Sequence, residues 1–291
     1  MTSLYNFIYY FNRLTPLADV NDIRMVKGFF DGGEPLNLHL HSPAVTLGNG
    51  LEIVVKSVQS LHSGYCLDQS AMDGMVYLFA ARDLQLCDAH KQVNEKLRGY
   101  VQRERSQFLG SEISHVLFDG TASMESILQH PKILEIITSK SVSTCYRTII
   151  PYFWSTKGEW VLVIIDTVTT AVQFIHPFYA SDITAPISSD ERSALNIFLK
   201  DQIGSILQKS IGEEYVSGKW KFHMNIEENG RVSVINDIRT VVYNANDSGL
   251  YVLYAMECDY FDSPIYAPDH THWTNFRTRM AYCLLNKQLL L

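Results

Sequence analysis

Long apolar runs are missing from this 291-residue chain. No window approaches the roughly 18 consecutive apolar residues of a membrane span, which excludes a helical transmembrane protein. No export signal is expected either, since Met1 to Tyr10 is aromatic but has no positive stretch and no small-residue cleavage pattern. Cysteine is sparse. Cys66, Cys87, Cys145, Cys258 and Cys283 are scattered, odd in number and never spaced C-x-x-C, which argues against a disulfide framework and for a reducing compartment. Basic charge is also short, with 24 Lys and Arg against 31 acids, a formal charge of −7 and no long basic run. A nucleic-acid footprint is therefore absent, and direct nucleic-acid binding is not expected. No repeat or low-complexity segment is present. The expectation is a soluble intracellular protein, in which the sequon Asn246-Asp247-Ser248 has no role.

What is there is an apolar, aromatic chain. At 46% hydrophobic and 12% aromatic it can bury a sizeable core, enough for one large domain or two small ones. Residues 1–50 carry an aromatic cluster (Tyr5, Phe7, Tyr9, Tyr10, Phe11) and loop punctuation at Asp31-Gly32-Gly33-Glu34-Pro35 and Gly48-Asn49-Gly50. A helical turn is expected at Ser57 to Leu61, and helical spacing of apolar groups from Cys66 to Phe79. Residues 91–108 read as an exposed amphipathic helix.

Thr148 to Trp154, Trp160 to Asp166 and Ala171 to Phe178 are β-rich runs with short connections, an expected antiparallel meander. Ser193 to Ile211 is an apolar helical stripe behind a Ser-Ser-Asp-Glu start signal. Lys219 to Ile226 and Arg231 to Ile235 flank Asn229-Gly230, a two-residue hairpin signal. An apolar helix follows Ser248, and a last helix is expected near Asn275 to Leu285. The pattern is an α+β layout.

Several short segments together carry a resemblance. Gly158-Glu159-Trp160-Val161-Leu162 is similar to a His-Trp-(Ser/Val)-Leu strand, and Asp247-Ser248-Gly249 to an Asp-Cys-Gly turn opening a helix. Cys66 to Asp73 is similar to Trp-Leu-Asn-Asp-Glu-Val-Ile-Asn, Ile150-Pro151 to Phe-Ile-Pro, and Phe276 to Met280 to an Arg-x-x-Met helix start. In this order they resemble the SUMO and ubiquitin-like-protein cysteine peptidases of the ULP/SENP type, over about 235 residues from Leu51 onward. The resemblance implies a papain-like α+β fold with a central mixed or antiparallel sheet flanked by helices. It divides the chain into an N-terminal extension or added subdomain, 1–50, and a SUMO-protease-like domain, 51–291. It also implies residence in the nucleus or cytoplasm.

The chemistry of that family needs a thiolate at a helix N-terminus, a histidine base, a group orienting it and an oxyanion donor. By the resemblance, Ser248 stands at the nucleophile, Glu159 at the histidine, His176 at the orienting aspartate and Val242 at the oxyanion glutamine. A hydroxyl is a far weaker nucleophile than a thiol. A carboxyl of reference pKa about 4.3 has little driving force to deprotonate it at neutral pH, where an imidazole near 6.5 is matched to the task. Losing one oxyanion donor costs about 10²–10³ in rate. A laboratory Cys-to-Ser change would account for Ser248 alone, not for the other three.

The reading that follows is a catalytically inactive pseudoprotease, a protein-binding or scaffolding subunit whose partner is a ubiquitin-like modifier or a complex subunit. The alternative is a peptidase, cysteine-type or serine-substituted, that deconjugates such a modifier. A permuted Ser248, Glu159 and His176 triad is the form an active serine enzyme would take. Candidate binding residues are Trp160, which the resemblance places at a clamp on a Gly-Gly tail, Cys66, where the clamp's second tryptophan is lost, and Asp68, Asn244 and Asp247. No cofactor is expected. His39 and His41 alternate on an expected strand but have no third ligand at metal spacing, so no metal site is assigned. His272-Trp273 falls outside the family's order, and Cys258 is read as a small core residue.

Overall fold

The computed structural model describes residues 19–30, 39–62, 64–96, 106–118, 123–139, 141–155, 157–179, 187–224, 241–242, 245–260 and 270–289. Two compact units divide the chain. One comprises Met1–Leu78, Pro177–Ile183 and Val234–Leu291, the other Phe79–His176 and Thr184–Ser233.

In the first unit, α1 (Val20–Phe30) precedes a two-stranded antiparallel hairpin, β1 (Pro43–Thr46) and β2 (Glu52–Val54), closed at Gly50 with φ +83°. His39 and His41 lie in the turn before β1, with His39 O accepting from Ser42 N, and not on the expected strand. The Ser42-Pro43 step accounts for the difference, since a turn absorbs the chain before proline opens the strand. Next come α2 (Val55–Gln59) and the start of α3 (Gln69–Lys96), a 28-residue helix that belongs to this unit as far as Leu78 and to the second from Phe79, and that begins within the expected apolar spacing. Inside it Gly74 is a close-packing point: a Cβ there would stand 2.9 Å from both Ile53 Cδ1 and Leu284 Cδ2.

The second unit is built on a five-stranded mixed sheet, in the order β3 (Gln107–Phe108), β4 (Arg147–Trp154), β5 (Glu159–Asp166), β6 (Ala171–Ile175), β8 (Lys221–Met224). β4 (Arg147–Trp154), β5 (Glu159–Asp166) and β6 (Ala171–Ile175) form the expected antiparallel meander, in register Phe153 opposite Trp160 and Val163 opposite Phe174. Gly158 supplies the left-handed backbone, φ +69°, that turns β4 into β5. Every residue of β5 is buried, as in a strand covered on both faces.

The edges are parallel: β3 (Gln107–Phe108) along β4 and β8 (Lys221–Met224) along β6. Gln107 and Phe108 are thus a strand where an amphipathic helix was expected, because β4 offers them a ladder that outweighs the local pattern. Residues 91–96 instead prolong α3. The proposed hairpin partner of β8, Arg231 to Ile235, lies outside the described residues.

Between β3 and β4 come four short helices, α4 (Ser111–Phe118), α5 (Met124–Gln129), α6 (Pro131–Thr138) and α7 (Ser141–Thr144), which local periodicity had not revealed. After β7 (Phe178–Tyr179), the helical stripe runs as α8 (Ser189–Ile197), a π-turn segment Phe198–Ile203 and α9 (Gly204–Ile211). Its start is the Ser188–Glu191 capping box that the sequence signals. Ile113, Leu117 and Ile133 from the short helices and Leu195, Phe198, Leu199 and Leu207 from this stripe form one core with Val161, Val163 and Ile165 of β5. Alternation along the strand is what sends those three to one face.

The first unit closes with β9 (Val241–Val242), parallel to β7, then α10 (Ser248–Tyr260) and α11 (His270–Asn286). Leu250 to Met256 are all buried, so α10 is enclosed on every side.

Candidate functional site

Glu159, Trp160 and His176 belong to the second unit, and Ser248, Asp247, Cys66 and Asp68 to the first. Glu159 opens β5 opposite Trp154, and His176 directly follows the last residue of β6. The antiparallel pairing of those strands brings the two side chains together: His176 Nε2 is 3.0 Å from Glu159 Oε2, with side chains 4% and 7% exposed. The approach is close without being well aligned as a hydrogen bond. The Trp154 ring meets the His176 ring edge-on at 5.8 Å and Phe174 at 6.1 Å, which fixes the imidazole plane. Trp160 packs on Phe153 across the hairpin at 5.3 Å and is 1% exposed.

The first-unit group is organised by an arginine. Ser248 is the first residue of α10, behind the tight turn Ala245–Asp247, and is fully buried. The Asp247 carboxylate accepts from Arg277 of α11, whose guanidinium also donates to the carbonyls of Leu61 at 3.0 Å and His62 at 2.8 Å. Burial lowers the pKa of Arg277, and the charge of Asp247 works in the opposite sense, with a smaller contribution from Cys66 nearby. Asn246 Nδ2 donates to Gly64 O at 2.8 Å, a second tie from the Ser248 turn to the same loop. His62 meets Phe30 edge-on at 5.1 Å and Tyr65 at a tilt at 6.0 Å, and Tyr65 is the exposed member.

Asp68, a candidate for binding, caps α3: its Oδ1 accepts from Ser70 N at 2.9 Å and Ser57 Oγ at 2.6 Å. Cys66 is half-buried, two residues before that cap. Val242 lies in β9 with Tyr179 as its register partner, and Asn244 lies outside the described residues. Among the described residues no group of three His, Cys, Asp or Glu is arranged to hold a metal. Arg277 was not among the candidate residues, although the sequence holds a signal for it. It occupies the apolar stripe Trp273, Phe276, Met280, Leu284 of α11, where a charge demands partners.

The architecture superposes on solved structures. The C-terminal Ulp1 protease domain in complex with Smt3, the yeast ortholog of SUMO, matches with a TM-score of 0.61 over 94% of this chain and 97% of that one, at 13% identity. The fold is that of an Ulp1-type SUMO protease domain. The Ulp1-like SUMO protease catalytic domain of Chaetomium thermophilum matches with a TM-score of 0.60 at 15% identity, over 94% of this chain and 91% of that one. Ulp1 with its catalytic cysteine oxidised to a sulfinic acid matches at 0.57 and 13% identity, over 94% of this chain and 98% of that one. No protein-family model and no curated protein matches the sequence. The Ulp1-like fold is thus carried by a sequence that shares about one residue in seven with its structural neighbours. No described helix is long and apolar enough to cross a membrane.

Proposed function

We propose that this protein is a catalytically inactive Ulp1-like pseudoprotease that binds a ubiquitin-like modifier and serves as a protein-binding or scaffolding subunit. The observation that carries the reading is the buried Glu159–His176 contact at 3.0 Å. At the positions where the resembled peptidases place histidine and aspartate, this chain keeps a carboxylate and imidazole pair with the two partners exchanged. Exchange puts a carboxyl where a base of imidazole strength is required and sets the imidazole Nε2 against that carboxyl. Ser248 in place of a thiol and Val242 in place of an oxyanion donor lower reactivity further. Binding is favoured over simple loss of function because the Ulp1-type fold is retained, with a TM-score of 0.61 over 94% of the chain. One structural neighbour was solved in complex with the yeast ortholog of SUMO. Such a protein would act in the nucleus or cytoplasm.

The test incubates the purified chain with SUMO and ubiquitin-like-protein C-terminal fluorogenic substrates while binding of the intact modifiers is followed by calorimetry. The expected result is saturable binding without cleavage. Cleavage by the unaltered chain would establish the peptidase reading instead, and absence of both would remove the ubiquitin-like modifier as the partner.

A further inference from the structure

Away from both groups, the second unit contains a cavity of about 240 Å³ beside the edge strand β3. Phe108, Ile113 and Ile136 contribute its apolar part, and Glu112, Lys132 and Glu135 its charges. Glu112 and Lys132 pair with each other, each about half exposed. Glu135, one helical turn beyond Lys132 on α6, has no ion-pair partner among the described residues. The three charges sum to −1. A cavity this small falls below the roughly 300–1,000 Å³ of cofactor and drug-sized sites, which points to a single inserted side chain.

We propose that this cavity receives an arginine side chain presented by an extended segment of a protein partner. The apolar part matches an arginine stem, which packs on Ile113 and Ile136 while its head keeps polar company. Glu135 offers the guanidinium a carboxylate for a bidentate pair, and the Phe108 ring offers an aromatic partner for the same cation. An acidic side chain would meet Glu135 unfavourably, and an apolar one would leave the charge uncompensated. The chain's overall charge of −7 favours the approach of a basic segment. This inference goes beyond the modifier-binding reading and rests on different residues, so either can fail alone.

The test titrates the ¹⁵N-labelled full chain with the blocked tripeptide acetyl-Gly-Arg-Gly-amide, and in parallel with its citrulline and leucine counterparts. Expected are saturable shifts at the amides of Gly110, Glu112 and Glu135 with a millimolar Kd, and much weaker binding of the two neutral peptides. Glu135→Gln, an exposed substitution that leaves the fold intact, should weaken the arginine peptide by roughly fivefold or more. No saturable shift, equal binding of the citrulline peptide, or an unchanged Kd in Glu135→Gln would each overturn the proposal.

Discussion

A buried carboxylate and imidazole 3.0 Å apart stabilise a protein only as a pair, because each alone is a polar group stripped of water. His176→Ala should therefore cost about 3 kcal/mol, and Glu159→Ala a similar amount, in urea unfolding. The double alanine variant should lose clearly less than the two costs added, and strict additivity would show that the contact carries no coupling. Arg277 is the second residue on which much depends, since one guanidinium serves two carbonyls and a carboxylate. Lysine cannot span that fork, so Arg277→Lys should destabilise by about 2–4 kcal/mol even though the charge is kept. A midpoint of unfolding unchanged in Arg277→Lys would mean that the carbonyl contacts of Leu61 and His62 contribute nothing.

At the scale of elements, the start of α8 links to the β4–β5 hairpin through Glu191, which accepts from Ser188 N at 2.8 Å and from Lys157 Nζ at 3.1 Å. Burial raises the pKa of the Glu191 carboxyl, but the hydrogen bonds from Ser188 and Lys157 and the lysine charge together hold it below the usual carboxylate range. A depressed folded-state pKa contributes stability above the unfolded value and loses it as pH falls through the folded one. Glu191→Ala should thus cost about 1 kcal/mol at pH 7, with the gap to the unaltered protein closing below about pH 4. A gap that stays constant with pH would show that the carboxylate charge is not what stabilises the cap. The hairpin itself turns on Gly158, where a β-branched residue at φ +69° is strained. Gly158→Val should cost about 1–2 kcal/mol by thermal unfolding, and an unchanged Tm would mean that the turn relaxes to negative φ.

For the whole molecule, a ligand that binds the folded chain alone must raise its stability by mass action. SUMO at about 100 times its Kd should add roughly 2.7 kcal/mol, read as a rise in Tm. An unmoved Tm at saturating modifier would contradict the binding reading independently of any activity assay. The likeness to Ulp1-type domains, at 13–15% identity, is a likeness of fold.

The sequence by itself determined the elements whose pattern is local and strong. β4, β5 and β6 follow from β-rich runs around short turns, α8 from its capping signal, and α10 from an unbroken apolar run after Asp247-Ser248-Gly249. It also singled out the candidate positions Glu159, His176, Val242 and Ser248, through short motifs on strands and turns. Only tertiary structure decided what those positions do to one another. Parallel pairing of β3 and β8 is invisible locally because its hydrogen bonds come from distant strands. The short helices between β3 and β4 are too brief to show a period of their own, and the core they cover is what makes them stable. Contact between Glu159 and His176 depends on the register that sets Leu162 opposite Ile175, and the three-way grip of Arg277 depends on α11 packing beside the 61–62 loop. Side-chain chemistry is written residue by residue, whereas the distance between two groups is set by how whole elements bury their apolar faces.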